Sequence, residues 1–298
     1  MFFFRALAAA LLAETTLALS PAAHTASGQP VFVAPSGSRV KPSGRNMEVF
    51  APNGTLIHTF ENVIPTNLKT KRASSQPIRR QDLSVTEAYA QFGPTDVIQS
   101  FNTTFVVPPA PTTFESQIIF ISANVQPLDA NGVPFGNLRA ALQYGGSWVQ
   151  GGPFWTYAIQ LEIPPSGFLQ VTNIGNPNPG LDVGQRVIST LVHDTEFIDP
   201  GIFWYIASFD NVPDAPVLEV GWQVSPQIAA LELEEEGVFQ ASDYPAGSIV
   251  FEQVNLNLTT GPPTISWNTS VDPTTNVEVT VDVDGSENAQ ISIVFPSS

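Results

Sequence analysis

The chain has 298 residues, 43% of them hydrophobic and 13% charged, with no cysteine and a formal net charge of −16. Without cysteine, disulfides, zinc–thiolate sites and thiol nucleophiles are excluded, so stability has to come from a packed core. Eleven Lys and Arg against 27 Asp and Glu also exclude a nucleic-acid partner, because phosphate binding needs a basic surface.

The chain opens "MFFFRALAAALLAETTLALS", in which Arg5 precedes an apolar run from Ala6 to Ala13. That run falls short of the ~20 apolar residues that span a bilayer. Residues 1–20 read as a secretory signal peptide, which predicts a secreted, extracellular protein with no membrane association. Charge then divides the chain. Nine of the eleven basic residues lie at or before Arg80 beside only Glu14, Glu48 and Glu61, a surplus of +6, and the remainder carries −22 and no lysine. The boundary, "KRASSQPIRRQ", holds the dibasic pairs Lys71-Arg72 and Arg79-Arg80 in a Ser/Pro/Gln-rich stretch. Exposed polar segments of this kind are where proteolytic processing happens, and the pairs resemble sites for a kexin-like maturation protease. Residues 21–80 are accordingly read as a basic propeptide, with cleavage after Arg72 or Arg80 and Gln81 as the mature start. Charge complementarity would hold such a segment on an acidic domain near neutral pH, and acid would loosen it. The acidic domain repels itself less as its carboxylates protonate, which suits an acid environment.

Residues 81–298 contain recurrent strand-like runs: 103–108, 116–126, 139–145, 154–163, 185–194, 202–209, 247–258 and 277–285. Turn clusters such as "PPAPTT", "NIGNPNPG" and "DNVPDAP" separate them. Many short strands with Gly/Pro turns predict an all-β fold, an antiparallel β-sandwich or barrel in a single domain. A monomer is expected. Asn102, Asn257 and Asn268 begin glycosylation sequons. Of His24, His58 and His193, only the last falls in this domain, so no poly-histidine metal site is expected there, and no cofactor is implied.

The stretch "AALELEEEG" (residues 229–237) concentrates four glutamates. As a strand it puts Ala229, Leu231 and Leu233 on one face and Glu232, Glu234 and Glu236 on the other. A helix between Ser225-Pro226 and Gly237 is the rival. It would place three acids at the negative end of its dipole, so the strand is favoured. By spacing alone the glutamates fit a solvated sheet face as well as a catalytic one.

The order of "TTFVVPPAP", "LRAALQYGG", "FWTYAIQLEIPP", "GQRVIST", "ALELEEEGV" and "DYPAGSIVFEQV" resembles the eqolisin-type glutamic peptidases of fungi and their neprosin-like relatives. The Leu-Gln-x-Gly segment of that family matches Leu142-Gln143-Tyr144-Gly145, and its Ala-Glu strand matches Leu231-Glu232. The resemblance implies a secreted zymogen with a concanavalin A-like jelly roll. It also implies a Gln143/Glu232 dyad that acts on unfolded protein or peptide substrates in acid, with the chain's own propeptide as a partner. Trp155 and Tyr157 are candidates to line the substrate groove or to pack in the core. Two other classes compete. A retaining β-glucanase would use the Glu-x-x-x-Glu spacing of Glu232 and Glu236. A lectin-like binding module would present Trp148 and Trp155 as an aromatic platform.

Overall fold

The computed structural model describes residues 18–68, 84–115, 117–146, 151–172, 180–196 and 199–297. Most of the predicted signal peptide, both dibasic pairs with Arg72 and Arg80, Gln81 and Trp148 lie outside the described residues. The fold is all-β, with one short 3₁₀ turn at Ala241–Asp243. Strands are numbered in chain order. One sheet, sheet A, runs from edge to edge as β1 (Ala23–His24), β2 (Pro30–Pro35), β11 (Gly167–Thr172), β10 (Gly151–Ile163), β9 (Asn137–Gly146), β8 (Ile118–Gln126), β15 (Ile228–Glu236), β6 (Ser84–Gln91) and β17 (Asn268–Ser270). Sheet B runs β18 (Glu278–Val283), β19 (Ala289–Val294), β16 (Ser248–Leu258), β7 (Ile98–Val106), β12 (Arg186–Asp194), β13 (Phe203–Phe209), β14 (Leu218–Trp222), β3 (Ser38–Ser43), β4 (Asn46–Phe50) and β5 (Leu56–Phe60).

Period-two alternation builds the core. In sheet A the apolar phases Ile119/Ile121/Ala123/Val125, Leu138/Ala140/Leu142 and Ala229/Leu231/Leu233 all turn inward. They meet Phe101 and Phe105 of β7, Leu191 of β12, and Leu218 and Val220 of β14 in one buried cluster. Two inner faces interdigitating in this way make a sandwich.

The sequence predicts a purely antiparallel sandwich beginning after residue 80, and the structure departs from that in one respect. Strands β1–β5 come from residues 23–60 and take places in both sheets. β2 pairs with β11, and β3 with β14, in parallel, so both sheets are mixed. The net charge of residues 1–80 hid these strands, because charge describes what faces water and not how the backbone pairs. The sequons lie in sheets: Asn268 is exposed in β17, whereas Asn102 and Asn257 are half-buried in β7 and β16.

Candidate active site

The acidic stretch is a strand, β15, and its neighbours fix what surrounds it. Glu232 lies opposite Glu87 of β6 on one side and Ser122 of β8 on the other. Glu234 lies opposite Phe120, which in turn lies opposite Gln143 of β9. Because residues paired across strands share a face, Gln143 and Glu232 belong to the same outer face of sheet A. They stand two strand spacings apart and two residues out of register, because Gln143 pairs with Phe120 while Glu232 pairs with Ser122, which puts their backbones ~12 Å apart, a gap that two long side chains narrow from both sides. Both are buried, Gln143 at 0% and Glu232 at 1% exposure.

Hydrogen bonds orient the carboxylate. Asn124 Nδ2 donates to Glu232 Oε2 at 2.8 Å, and Gln126 Nε2 donates to Asn124 Oδ1 at 2.9 Å. Arg139, fully buried on β9, forms a two-pronged ion pair with Glu234, with Nη2 to Oε1 at 3.1 Å. Its Nη1 also stands 4.0 Å from Glu232 Oε1. The guanidinium is held on its other edge by Gln160 Oε1 at 2.7 Å from Nε, and Gln160 Nε2 donates to Gln170 Oε1 at 3.2 Å. Its carbon sits 4.8 Å from the centre of the Phe120 ring and 5.7 Å from that of Phe168. A buried charge is tolerated only when paired and hydrogen-bonded, and Arg139 meets both conditions. Ser122 Oγ, beside Glu232, is buried with no hydrogen-bond partner among the described residues. Its hydroxyl lies on the same face as Glu232.

Local chain geometry holds Gln143 in place. Gly151 opens β10 at φ +125°, and a Cβ there would come within 2.8 Å of Gln143 Nε2 and 2.2 Å of the Gly145 carbonyl. Only glycine fits the space and the backbone angle. Gly151→Ala is therefore expected to displace the Gln143 amide. A lower melting temperature would bear this out, and an unchanged one would refute it.

The opposite phase of these strands carries the other candidates. Trp155 and Tyr157 point away from Gln143 and Glu232, into the inter-sheet core, at 2% and 1% exposure. Trp155 packs against Tyr144 at 5.3 Å between ring centres and donates Nε1 to the Pro109 carbonyl at 3.3 Å, and Tyr157 packs against Phe209 at 5.6 Å. Strand alternation places both in the core, and their neighbours Thr156 and Ala158, which pair with Gln143 and Ala141, take the face of Gln143. Glu235 also faces inward, where it accepts a hydrogen bond from Tyr244. Burial, and then the Glu235 charge, pushes that phenol well above its usual value. Glu232 and Glu236 sit four residues apart on one strand, ~13 Å along it, with the Arg139-bound Glu234 between them. Arg139 thus holds Glu234 between the two carboxylates that a retaining glycosidase would bring to ~5–5.5 Å of each other.

The loop from β15 to β16, read in the sequence as "DYPAG", is tied down by Asp243. Its carboxylate accepts from the amides of Phe239 (3.0 Å) and Gln240 (3.1 Å), from Gln240 Nε2 (3.3 Å) and from Thr113 Oγ1. Burial alone would raise its pKa, but these donors together take it below the usual carboxylate value of 3.8. A depressed carboxylate contributes stability above the unfolded-state value and loses it as pH falls through the folded one. The melting temperature of wild type should thus exceed that of Asp243→Asn by a constant margin from neutral pH down to about pH 4, and the margin should close below that. A margin independent of pH down to about pH 2 would contradict this account.

Arg139, Asn124 and Glu87 are among the residues around Glu232 that sequence reasoning missed. An arginine inside the apolar run "LRAALQYG" was itself a signal, because a cation in a core strand has to find a carboxylate on a neighbouring one. Glu87 left no such trace, since residues 84–91 were not read as a strand.

Among solved structures, that of scytalido-glutamic peptidase with a peptide-based transition-state analogue is similar to this chain, at 10% identity and a TM-score of 0.44, over 72% of this chain and 98% of that one. No protein-family model matches the chain, and no curated protein matches it.

Proposed function

We propose that the protein is a secreted, acid-acting glutamic endopeptidase in which Glu232 is the general base and Gln143 stabilises the oxyanion. One observation carries the reading: an amide and a carboxylate, both buried, share one sheet face, and the carboxylate is oriented by Asn124 and flanked by Arg139. Peptide hydrolysis needs a base for water and a donor for the developing oxyanion, and this pair supplies both. Glu232 removes a proton from water as the water oxygen adds to the scissile carbonyl carbon. The Gln143 amide N–H donates to the carbonyl oxygen as it becomes anionic. Glu232 then delivers its proton to the leaving nitrogen, and the C–N bond breaks. The proton delivered is the one taken from water, so Glu232 ends the cycle as the carboxylate. Arg139 keeps the first half possible by favouring the carboxylate.

The test uses secreted, processed protein with an unfolded protein as substrate at about pH 3.5 and pH 7, the two sides of the carboxylate range. Cleavage at acid pH and little at neutral pH supports the proposal. A folded protein that cleaves at neither pH overturns it.

A further inference from the structure

Residues 21–80 were expected to be held on the domain by charge, but the described part of that segment is nearly neutral. Between residues 18 and 68 there are three cations, Arg39, Lys41 and Arg45, against Glu48 and Glu61. The remaining basic residues of the segment, from Lys69 to Arg80, belong to the linker that follows. What binds residues 18–68 is the sandwich itself. Phe32, Ala34, Val40, Met47, Val49, Phe60, Val63 and Ile64 are all buried in the same core cluster as the strands of the acidic domain.

The backbone attachment spans both layers. β2 continues sheet A through five paired residues on β11, and β3 continues sheet B on β14. The turn between them crosses from one sheet to the other: the Ser36 amide donates to the Thr172 carbonyl and the Gly37 amide to the Val217 carbonyl, each at 2.8 Å. Ser36 Oγ accepts from the Val217 amide at 3.0 Å, and Arg39 Nε pairs with Glu219 Oε2 at 2.6 Å. The turn of the β1–β2 hairpin reaches the end of the acidic strand: the Ala26 amide donates to Glu236 Oε1 at 2.8 Å, although four strands separate β2 from β15 within the sheet. Losing the segment would leave β11 and β14 as unpaired edges and open Leu169, Val171, Leu218 and Val220 to water. Exposed, apolar edge strands are a liability that folded proteins avoid.

We infer that residues 18–68 do not leave when the linker is cut. They remain as a second, non-covalently held chain that completes both sheets and supplies one contact to the acidic strand. The inference rests on cleavage between Leu68 and Ser84, the described residues on either side of the basic stretch, and not on the peptidase reading. The two described anchors fit it, with Asn67 accepting from the Ala130 amide and Ser84 registered against Glu235.

The experiment places a unique recognition site for a sequence-specific protease at residues 74–78 of the full chain. The folded protein is cut, mass spectrometry verifies the cut, and gel filtration at about pH 7 and pH 3.5 follows, either side of carboxylate titration. Both pieces in one peak of unchanged size at both pH values, separating only in denaturant, is the expected result. A small N-terminal piece eluting apart from a folded large piece at either pH overturns the inference. This readout needs no activity, so an inactive protein would sink the peptidase proposal and leave this one standing.

Discussion

Glu232→Gln is expected to remove acid-dependent peptide cleavage while the protein stays folded. The substitution keeps the shape of the side chain and leaves an oxygen to accept from Asn124 Nδ2, so the buried network loses little. It removes the only atom set in the scheme that accepts and returns a proton. General acid–base catalysis contributes ~10²–10⁴-fold per group. Glu232 serves both halves of the reaction, so a loss of at least ~10³-fold in kcat/KM is expected. Gln143→Leu should cost ~10²–10³-fold, the usual effect of deleting one oxyanion donor, and chiefly in kcat. The pair makes the argument separable. If Glu232→Gln cleaves as well as wild type at acid pH with an unchanged melting temperature, the base lies elsewhere, whatever Gln143 does. If Glu232→Gln is inactive but Gln143→Leu is not, the oxyanion is held by other donors and the dyad is wrong by half.

The parts of this site that the sequence disclosed are those in which one residue type repeats with the period of its element. Leu231 and Leu233 against Glu232 and Glu234 fixed β15 as a strand, and with it the face on which the carboxylates lie. Leu142 and Tyr144 flank Gln143 with the same period on β9, although only the structure assigns its face. What stayed hidden depends on register between strands that are distant in the chain. Nothing local says that Glu87 lies opposite Glu232, or that Arg139 reaches Glu234 from two strands away. The same limit explains Trp155 and Tyr157. An aromatic-rich strand shows that one face is greasy, but which phase turns inward is decided by the partner Gln143, which faces out. The N-terminal strands were obscured differently. "PVFVAP" and "NMEVF" carry strand-forming residues, but the positive surplus around them suggested a soluble, detachable segment. Burial of Val40 and Val49 owes nothing to that surplus.

Arg139→Met should be the most destabilising single change at this face. Methionine fills most of the arginine's length, so the cost is electrostatic and not a cavity. Glu234 loses both prongs of its ion pair, Glu232 loses a positive charge 4.0 Å away, and Gln160 Oε1 loses its donor. Breaking a buried ion pair by removing one partner typically costs ~3–5 kcal/mol, because the remaining charge stays buried and uncompensated. That is a large share of the whole stability of a domain. The loss should also depend on pH. An uncompensated buried carboxylate is tolerated once it is protonated, so the variant is expected to be weakest near neutral pH and to recover towards wild type in acid. The double variant Arg139→Met, Glu234→Gln removes the stranded charge and should regain most of the lost stability at neutral pH. Denaturant melts of the single and double variants at neutral and acid pH check all three statements. A single variant that is equally destabilised at both pH values, with no rescue in the double, would mean that Arg139 matters for packing against Phe120 and Phe168 and not for its charge. Rescue of stability without rescue of activity would separate the two tasks proposed for this residue: holding the strand together, and placing a positive charge beside Glu232.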